Sequence, residues 1–216
     1  MSEKYIVYTV GQLKQTRRNV FIEKLSLFTN ELDLEFSTSQ VKSWGDCYDY
    51  LINTFEHISS YDHCILLFEY CLPFTNYRRP DVIMLFNDKV LVLEFKRKDI
   101  DLIQDIDQLT GYLNFLRKFH DQTEQMELGV DGALILTVNN ENNMEKANGY
   151  TLIKGRSLLR FLEESFNNEP MDYDFSIKWA NSSYEPSKNV LKATFNMFIK
   201  DDLSMIKNIS EHELQN

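Results

Sequence analysis

The chain has 216 residues, 43% hydrophobic and 26% charged, enough to bury a real core and unlike the balance of a disordered polypeptide. Fifteen Phe and eleven Tyr against seven Gly and four Pro argue against linker-rich organisation. A formal net charge of −10 disfavours unaided binding to phosphate polymers, so any nucleic-acid chemistry must rest on a local basic patch, a metal or a partner.

No apolar run approaches the roughly 18 residues of a membrane span. The N-terminal stretch lacks the apolar core of a signal peptide, and no membrane partner is expected. Cys47, Cys64 and Cys71 show no CxxC spacing, which points to reduced thiols in a cytoplasmic protein rather than to zinc.

In chain order, Lys4–Thr9 reads as a short strand and Asn19–Phe28 as a short amphipathic helix. Polar Ser37–Ser39 leads into a helix over about 44–57. Cys64–Tyr70 is an apolar strand closing on Glu69. The apolar runs Val82–Phe86 and Val90–Phe95 flank Asn87-Asp88-Lys89, where Asn and Asp tolerate positive φ, so a hairpin is expected.

Leu102, Ile106, Leu109, Leu113 and Leu116 mark a helix over about 102–119, and Gly132–Thr137 a buried strand. Strand, long helix and strand imply a parallel crossover. Asn139–Asn143 reads as a loop, Tyr150–Ile153 as an edge strand and Ser157–Phe166 as a helix. Two short helices, about 188–198 and 203–209, would form a tail. The expected order is α/β, a helix, three strands, a helix and a strand around a mixed central sheet flanked by helices. Residues 1–185 would form one domain and 186–216 a helical tail.

The chemistry concentrates in the hairpin. From Arg78 to Lys98 six basic residues stand against three acidic ones, a local +3 in an acidic chain. Alternation along a strand puts Glu94 and Lys96 on one face and Phe95 on the other. If Phe86 pairs with Lys89, the same register pairs Asp81 with Glu94, with Cβ atoms about 4.5–5.5 Å apart. Two carboxylates so placed repel unless a positive charge lies between them. Hard oxygen ligands suit Mg²⁺, with Mn²⁺ as substitute, and such an ion activates water and neutralises charge at a phosphate.

Lys96, one pleat from Glu94, is placed to stabilise a charged transition state. An ExK triplet alone carries little information; Asp81 at the matching cross-strand position gives it weight. Gln108 and Tyr112, four apart on the following helix, share a face and could point towards the hairpin. Glu69 is a candidate third metal-proximal carboxylate, because a buried glutamate needs a partner. Arg78, Arg79, Arg97 and Lys98 are candidate phosphate contacts. His120, near a helix end, is explained by a favourable dipole interaction.

Asp81, Glu94-Phe95-Lys96 and Gln108-Leu-Thr-Gly-Tyr112 resemble the D…ExK…QxxxY series of RecB-like PD-(D/E)XK nucleases. Phe68-Glu69-Tyr70, Arg78-Arg79-Pro80-Asp81-Val82, Leu93–Lys98 and Asp107–Tyr112 look more narrowly like the nuclease domain of bacterial nuclease–helicase fusions with a Schlafen-like helicase part, some of them antiphage proteins. Ile6-Val7-Tyr8, Ser43-Trp44 and Tyr184–Ser187 are similar as well, so the likeness spans almost the whole chain.

That resemblance implies a restriction-endonuclease-like fold and metal bound by Asp81, Glu94 and the Phe95 carbonyl. It further implies catalysis by Lys96 with Gln108 and Tyr112, DNA as substrate, and a helicase domain or subunit as partner. Gln40 stands where related nucleases carry a glutamate, and no GxxxxGK[ST] phosphate loop occurs, so the chain reads as an excised domain or a stand-alone relative. The competing readings are a catalytically weak module that grips nucleic acid or a helicase, and a dimerising domain with an aromatic tail.

Overall fold

The structure, a computed structural model, describes residues 4–184 apart from 33, 35, 73–77, 99, 139–140 and 166–168. The expected tail helices lie outside these residues. Among the described residues seven strands form one sheet in the order β1-β2-β3-β4-β5-β7-β6. β1 (Ile6–Thr9), β2 (Ile65–Phe68), β3 (Val82–Leu85) and β4 (Lys89–Lys96) are successively antiparallel. β5 (Gly129–Leu136) runs parallel to β4, and β7 (Tyr150–Lys154) parallel to β5.

Helices cover both faces, which is why the central strands are continuous apolar runs rather than alternating ones. Every residue of β2 and β3 is buried. On one face Leu66, Phe68, Met84, Leu91, Leu93 and Phe95 pack against α1 (Val10–Gln15), α2 (Arg18–Glu31), α3 (Thr38–Phe55) and α6 (Leu158–Ser165). On the other, Leu67, Ile83, Val90 and Val92 meet α4 (Ile103–Phe119) and α7 (Tyr173–Ala180). At about 1.5–3 kcal/mol per fully buried large side chain, these strands anchor the fold.

The stretch α3-β2-β3-β4-α4-β5 follows the expected order of elements, and the β4–β5 pair is parallel as the crossover required. Several details differ. α3 begins at Thr38, six residues ahead of the apolar periodicity, because Ser37 accepts the Gln40 N–H as N-cap. This early start puts Gln40, Ser43 and Trp44 on one rigid element. β7 is an interior strand, not an edge: β6 (Asn143–Ala147) covers it antiparallel. The polar Asn-Met-Glu-Lys-Ala of β6 is mostly exposed and carries no apolar signal, so it reads as loop in sequence.

The short helices α1, α5 (Asp121–Gln125) and α7 were also missed. α1 is held by a reciprocal capping box between Thr9 and Gln12, a feature of turn chemistry rather than of periodicity. The β3–β4 turn closes through Phe86 and Lys89, yet neither Asn87 nor Asp88 adopts positive φ. Its conformation is held by tertiary bonds instead: the Asn87 N–H donates to Glu169 O at 3.1 Å, and Phe86 bridges Pro170.

His120 likewise departs from expectation. It is buried, stacked on Trp179 at 4.1 Å, and its Nδ1 accepts the Thr123 N–H as N-cap of α5. Burial lowers its pKa to about 3, so it is neutral and its role is packing, not a charge at a helix dipole.

Gly132 lets α4 lie close on β5: a Cβ there would stand 2.8 Å from Leu113 Cδ1 and 3.1 Å from Leu109 Cδ1. Both leucines are fully buried and cannot swing aside. Gly132→Val is therefore expected to cost about 1–3 kcal/mol by overpacking. The check is a lowered urea midpoint with unchanged denaturant slope.

Candidate active site

The antiparallel register pairs Val82 with Leu93, so one residue further it sets Asp81 beside Glu94. Val82 and Leu93 point into the α3-side core, which turns Asp81 and Glu94 to the α4 side. The proline at 80 has no N–H to donate to the Phe95 carbonyl, and the Phe95 N–H is taken up by the Asp81 carboxylate, which accepts it at 2.8 Å. Thr137 N–H donates to the Lys96 carbonyl, so β4 bonds to β5 through its even-numbered residues there. The same alternation turns the Phe95 carbonyl towards β3, the side on which Asp81 stands.

Glu94 is buried and Asp81 partly so, and the two carboxyls lie within hydrogen-bonding reach of each other. Burial pushes the Asp81 pKa up, against the pull of the Lys96 charge and the Phe95 N–H. Burial and the adjacent Asp81 push Glu94 well above the ordinary carboxylate range. Glu94 Oε1 is buried without a hydrogen-bond donor. Lys96 Nζ lies 3.4 Å from Glu94 Oε2 and 3.5 Å from Asp105 Oδ1. Burial weakens its charged form, but Glu94, Asp81 and Asp105 together outweigh that, and its pKa is raised.

These groups line a cleft of about 440 Å³ between the N-terminal part of α3 and the face of α4. Asp81, Glu94, Lys96, Gln108, Tyr112, Glu69, Arg78 and Arg79 all border it, so most sequence-derived candidates converge, while Phe95, Arg97 and Lys98 do not line it. Arg97 turns to the α3 side, where it meets Asp46 at 2.7 Å. Lys98 pairs with Asp105 at 2.8 Å and donates to the Asp101 carbonyl. Gln108 Nε2 donates to the Tyr112 hydroxyl at 2.6 Å, which donates to the Arg79 carbonyl at 3.2 Å. The pair thus ties α4 to the strand carrying Asp81.

Glu69 has a different part from the one expected. It follows β2 at φ 51°, in the left-handed region, which breaks the strand's alternation. Its carboxylate accepts the Trp44 indole N–H at 2.7 Å and pairs with Arg79 Nε at 3.1 Å. The Gln40 side chain also donates to it. Burial raises its pKa to about 7, with Arg79 opposing. With both oxygens engaged, Glu69 serves to hold Arg79, a residue only 10% exposed. Arg79 Nη1 remains buried with no acceptor.

Asp105 escaped the sequence reading, although Asp105, Gln108 and Tyr112 fall at helical spacing on one face. Trp44 carries no signal in sequence beyond the resemblance; its role depends on the early start of α3.

Among the described residues no three His, Cys, Asp or Glu side chains form a ready cation cage. A divalent ion would instead draw on Asp81, Glu94 and the Phe95 carbonyl. The unpartnered Glu94 oxygen and the acid pair's need for positive charge fit such an ion. No protein-family model, curated protein or solved structure matches the chain. No described helix is long and apolar enough to cross a membrane.

The raised carboxyl pKa values make metal-free stability depend on pH. As pH rises above the ordinary carboxylate range, the unfolded chain releases these protons while the folded protein retains them, so stability falls until the folded pKa values are passed. Glu94→Gln removes one such group. In EDTA its urea midpoint is expected to exceed that of the wild type at pH 8, with the gap closing near pH 4.

Proposed function

We propose that the chain is a divalent-cation-dependent nuclease acting on DNA, built on a restriction-endonuclease-like fold of the PD-(D/E)XK type. The observation that carries this reading is a pair of buried, unpartnered atoms of opposite character on two residues that border one cleft, the Glu94 Oε1 acceptor and the Arg79 Nη1 donor. A phosphodiester with its counter-cation would satisfy both. The motif series stated above and the order α3-β2-β3-β4-α4-β5 support the same reading.

Asp81, Glu94 and the Phe95 carbonyl would hold Mg²⁺, with Mn²⁺ as a substitute. When bound, the ion supplies Lewis acidity towards a phosphate oxygen and acidifies a water. The rest falls to the protein. The Lys96 ammonium, kept charged by Glu94 and Asp105, sits where negative charge grows on the phosphorus oxygens. Arg79, clamped through Nε by Glu69, offers its remaining N–H groups to a phosphate oxygen without having to be ordered on binding. Tyr112 and Gln108 hold the segment before Asp81 in register. A helicase domain or subunit would supply unwound substrate and help to offset the chain's −10 charge.

A second reading, a module that grips nucleic acid without cutting, is favoured by one observation: Gln40, a neutral side chain, borders the cleft where a further acid would strengthen a second cation site. Cleavage of single- and double-stranded DNA with Mg²⁺ or Mn²⁺ decides between them. Wild type is expected to cut and EDTA to stop it. Asp81→Ala is expected to abolish cutting, and Lys96→Ala to slow it by about 10²–10³-fold, the range for losing one transition-state donor. Metal-dependent cutting that survives both substitutions rules this site out.

Cation binding gives an independent check by melting temperature. At a hundredfold excess over its dissociation constant, a bound ion stabilises the folded state by about 2.7 kcal/mol. That gain is expected in wild type and absent in Asp81→Ala.

A further inference from the structure

A second cleft, of about 560 Å³, lies outside the carboxyl ends of three parallel strands. Arg97 follows β4, Val138 follows β5 and Arg156 follows β7. The chain leaves β4 for α4 on one face but leaves β5 for β6 at the sheet's edge. Open α/β sheets commonly take ligands outside the carboxyl ends of their parallel strands. The opposite wall is α3, whose Asp46, Asp49, Tyr50 and Asn53 recur at helical spacing on one face.

The floor of this cleft is rigid and is tied to the candidate active site. Gly155 has φ 60°, and a Cβ there would stand 2.5 Å from Asn142 Oδ1 and 2.7 Å from the Glu141 carbonyl. The Arg156 N–H donates to Asn142 Oδ1 at 2.7 Å, and the Tyr50 hydroxyl donates to the Gly155 carbonyl at 2.7 Å. The Tyr50 ring meets the Phe95 ring edge-on at 5.6 Å, and Phe95 N–H is the group that Asp81 accepts. Three contacts therefore join the cleft to the first of the paired carboxylates.

Its charge is balanced, unlike that of the whole chain. Asp46 is matched by Arg97 at 2.7 Å and Asp49 by Arg18 at 3.0 Å, whereas Arg156 is exposed and has no ion pair among the described residues. The two lining acids, each already in an ion pair, are balanced by Arg97 and Arg156, and Arg156 is left to face an anionic ligand. Its remaining groups suit an unpaired base: Asn53 offers a donor and an acceptor, and Val138, 45% exposed, offers an apolar surface. The volume falls within the roughly 300–1,000 Å³ of small-ligand pockets and suits an unstacked nucleotide rather than a duplex.

We propose that this cleft holds an unpaired stretch of the DNA strand whose scissile phosphate lies at Asp81 and Glu94, with Arg156 on a backbone phosphate. The assignment rests on the nuclease reading for the identity of the strand. Its test does not require cutting. Binding of a fluorescein-labelled oligothymidine 12-mer is followed by anisotropy in EDTA, with wild type, Arg156→Ala, Arg156→Glu and Arg156→Lys.

Losing one phosphate contact is expected to weaken binding about five- to tenfold in Arg156→Ala and to reduce the slope of log affinity against log salt by about 0.7. Arg156→Glu weakens it further, and Arg156→Lys retains most of it. Affinity unchanged in both the Ala and Glu variants overturns the proposal, as does an equal loss on the matching duplex. Wild-type cutting is assayed in parallel. Binding that depends on Arg156 without any cutting keeps the cleft and removes the nuclease reading. Cutting with binding indifferent to Arg156 removes the cleft and leaves the nuclease.

Discussion

Two carboxyl groups held side by side at the end of a buried hairpin set the terms for the rest of this molecule. The tight turn closed between Phe86 and Lys89 fixes the register of β3 against β4. That constraint carries Asp81 and Glu94 to the same face with no choice of their own. Their proximity is unfavourable without a positive charge, and neighbouring groups are arranged in answer. Lys96 stands beside Glu94, Asp105 holds Lys96, and the Phe95 N–H occupies one Asp81 oxygen. What remains without a hydrogen-bond partner is one buried oxygen of Glu94, a residue that borders the cleft.

A second polar cluster, from Glu69 to Arg79, completes the cleft and depends on the first face of the sheet rather than on the hairpin. The left-handed backbone at Glu69 swings its carboxylate to Trp44 on α3, and the same carboxylate fixes the Arg79 guanidinium. A backbone outlier of this kind costs about 1–3 kcal/mol and is usually found where the surrounding structure has use for it. Here it converts what reads as a third acid into the support of a buried cation. The cleft thus presents acids from the hairpin and a guanidinium held from β2 and α3, a distribution suited to an anion together with its counter-cation.

The local charge distribution also reconciles an acidic chain with an anionic ligand. The −10 is a property of the whole surface, and fields from exposed charges are screened within about 8 Å at physiological salt. Arg79, Lys96 and Arg156 would act on the proposed ligand at contact distance, where such screening is weakest. Association with the proposed DNA would be slowed by the global charge, which is the physical ground for proposing a partner that delivers it.

Much of the site was legible in sequence because period-two alternation and a two-residue turn are local properties. They align Asp81, Glu94 and Lys96 by counting, and the period of 3.6 aligns Gln108 with Tyr112 and would have aligned Asp105. The apolar runs of β2 to β5 and the long α4 were readable for the same reason. Only the tertiary structure could assign Glu69 to Arg79 rather than to a metal, bury His120 as a neutral core residue, and place β6 outside β7. Each of these follows from burial and from partners distant in the chain, such as Trp44 for Glu69 and Trp179 for His120. Local periodicity constrains which side chains share a face, but desolvation and non-local hydrogen bonds decide what each polar group does there.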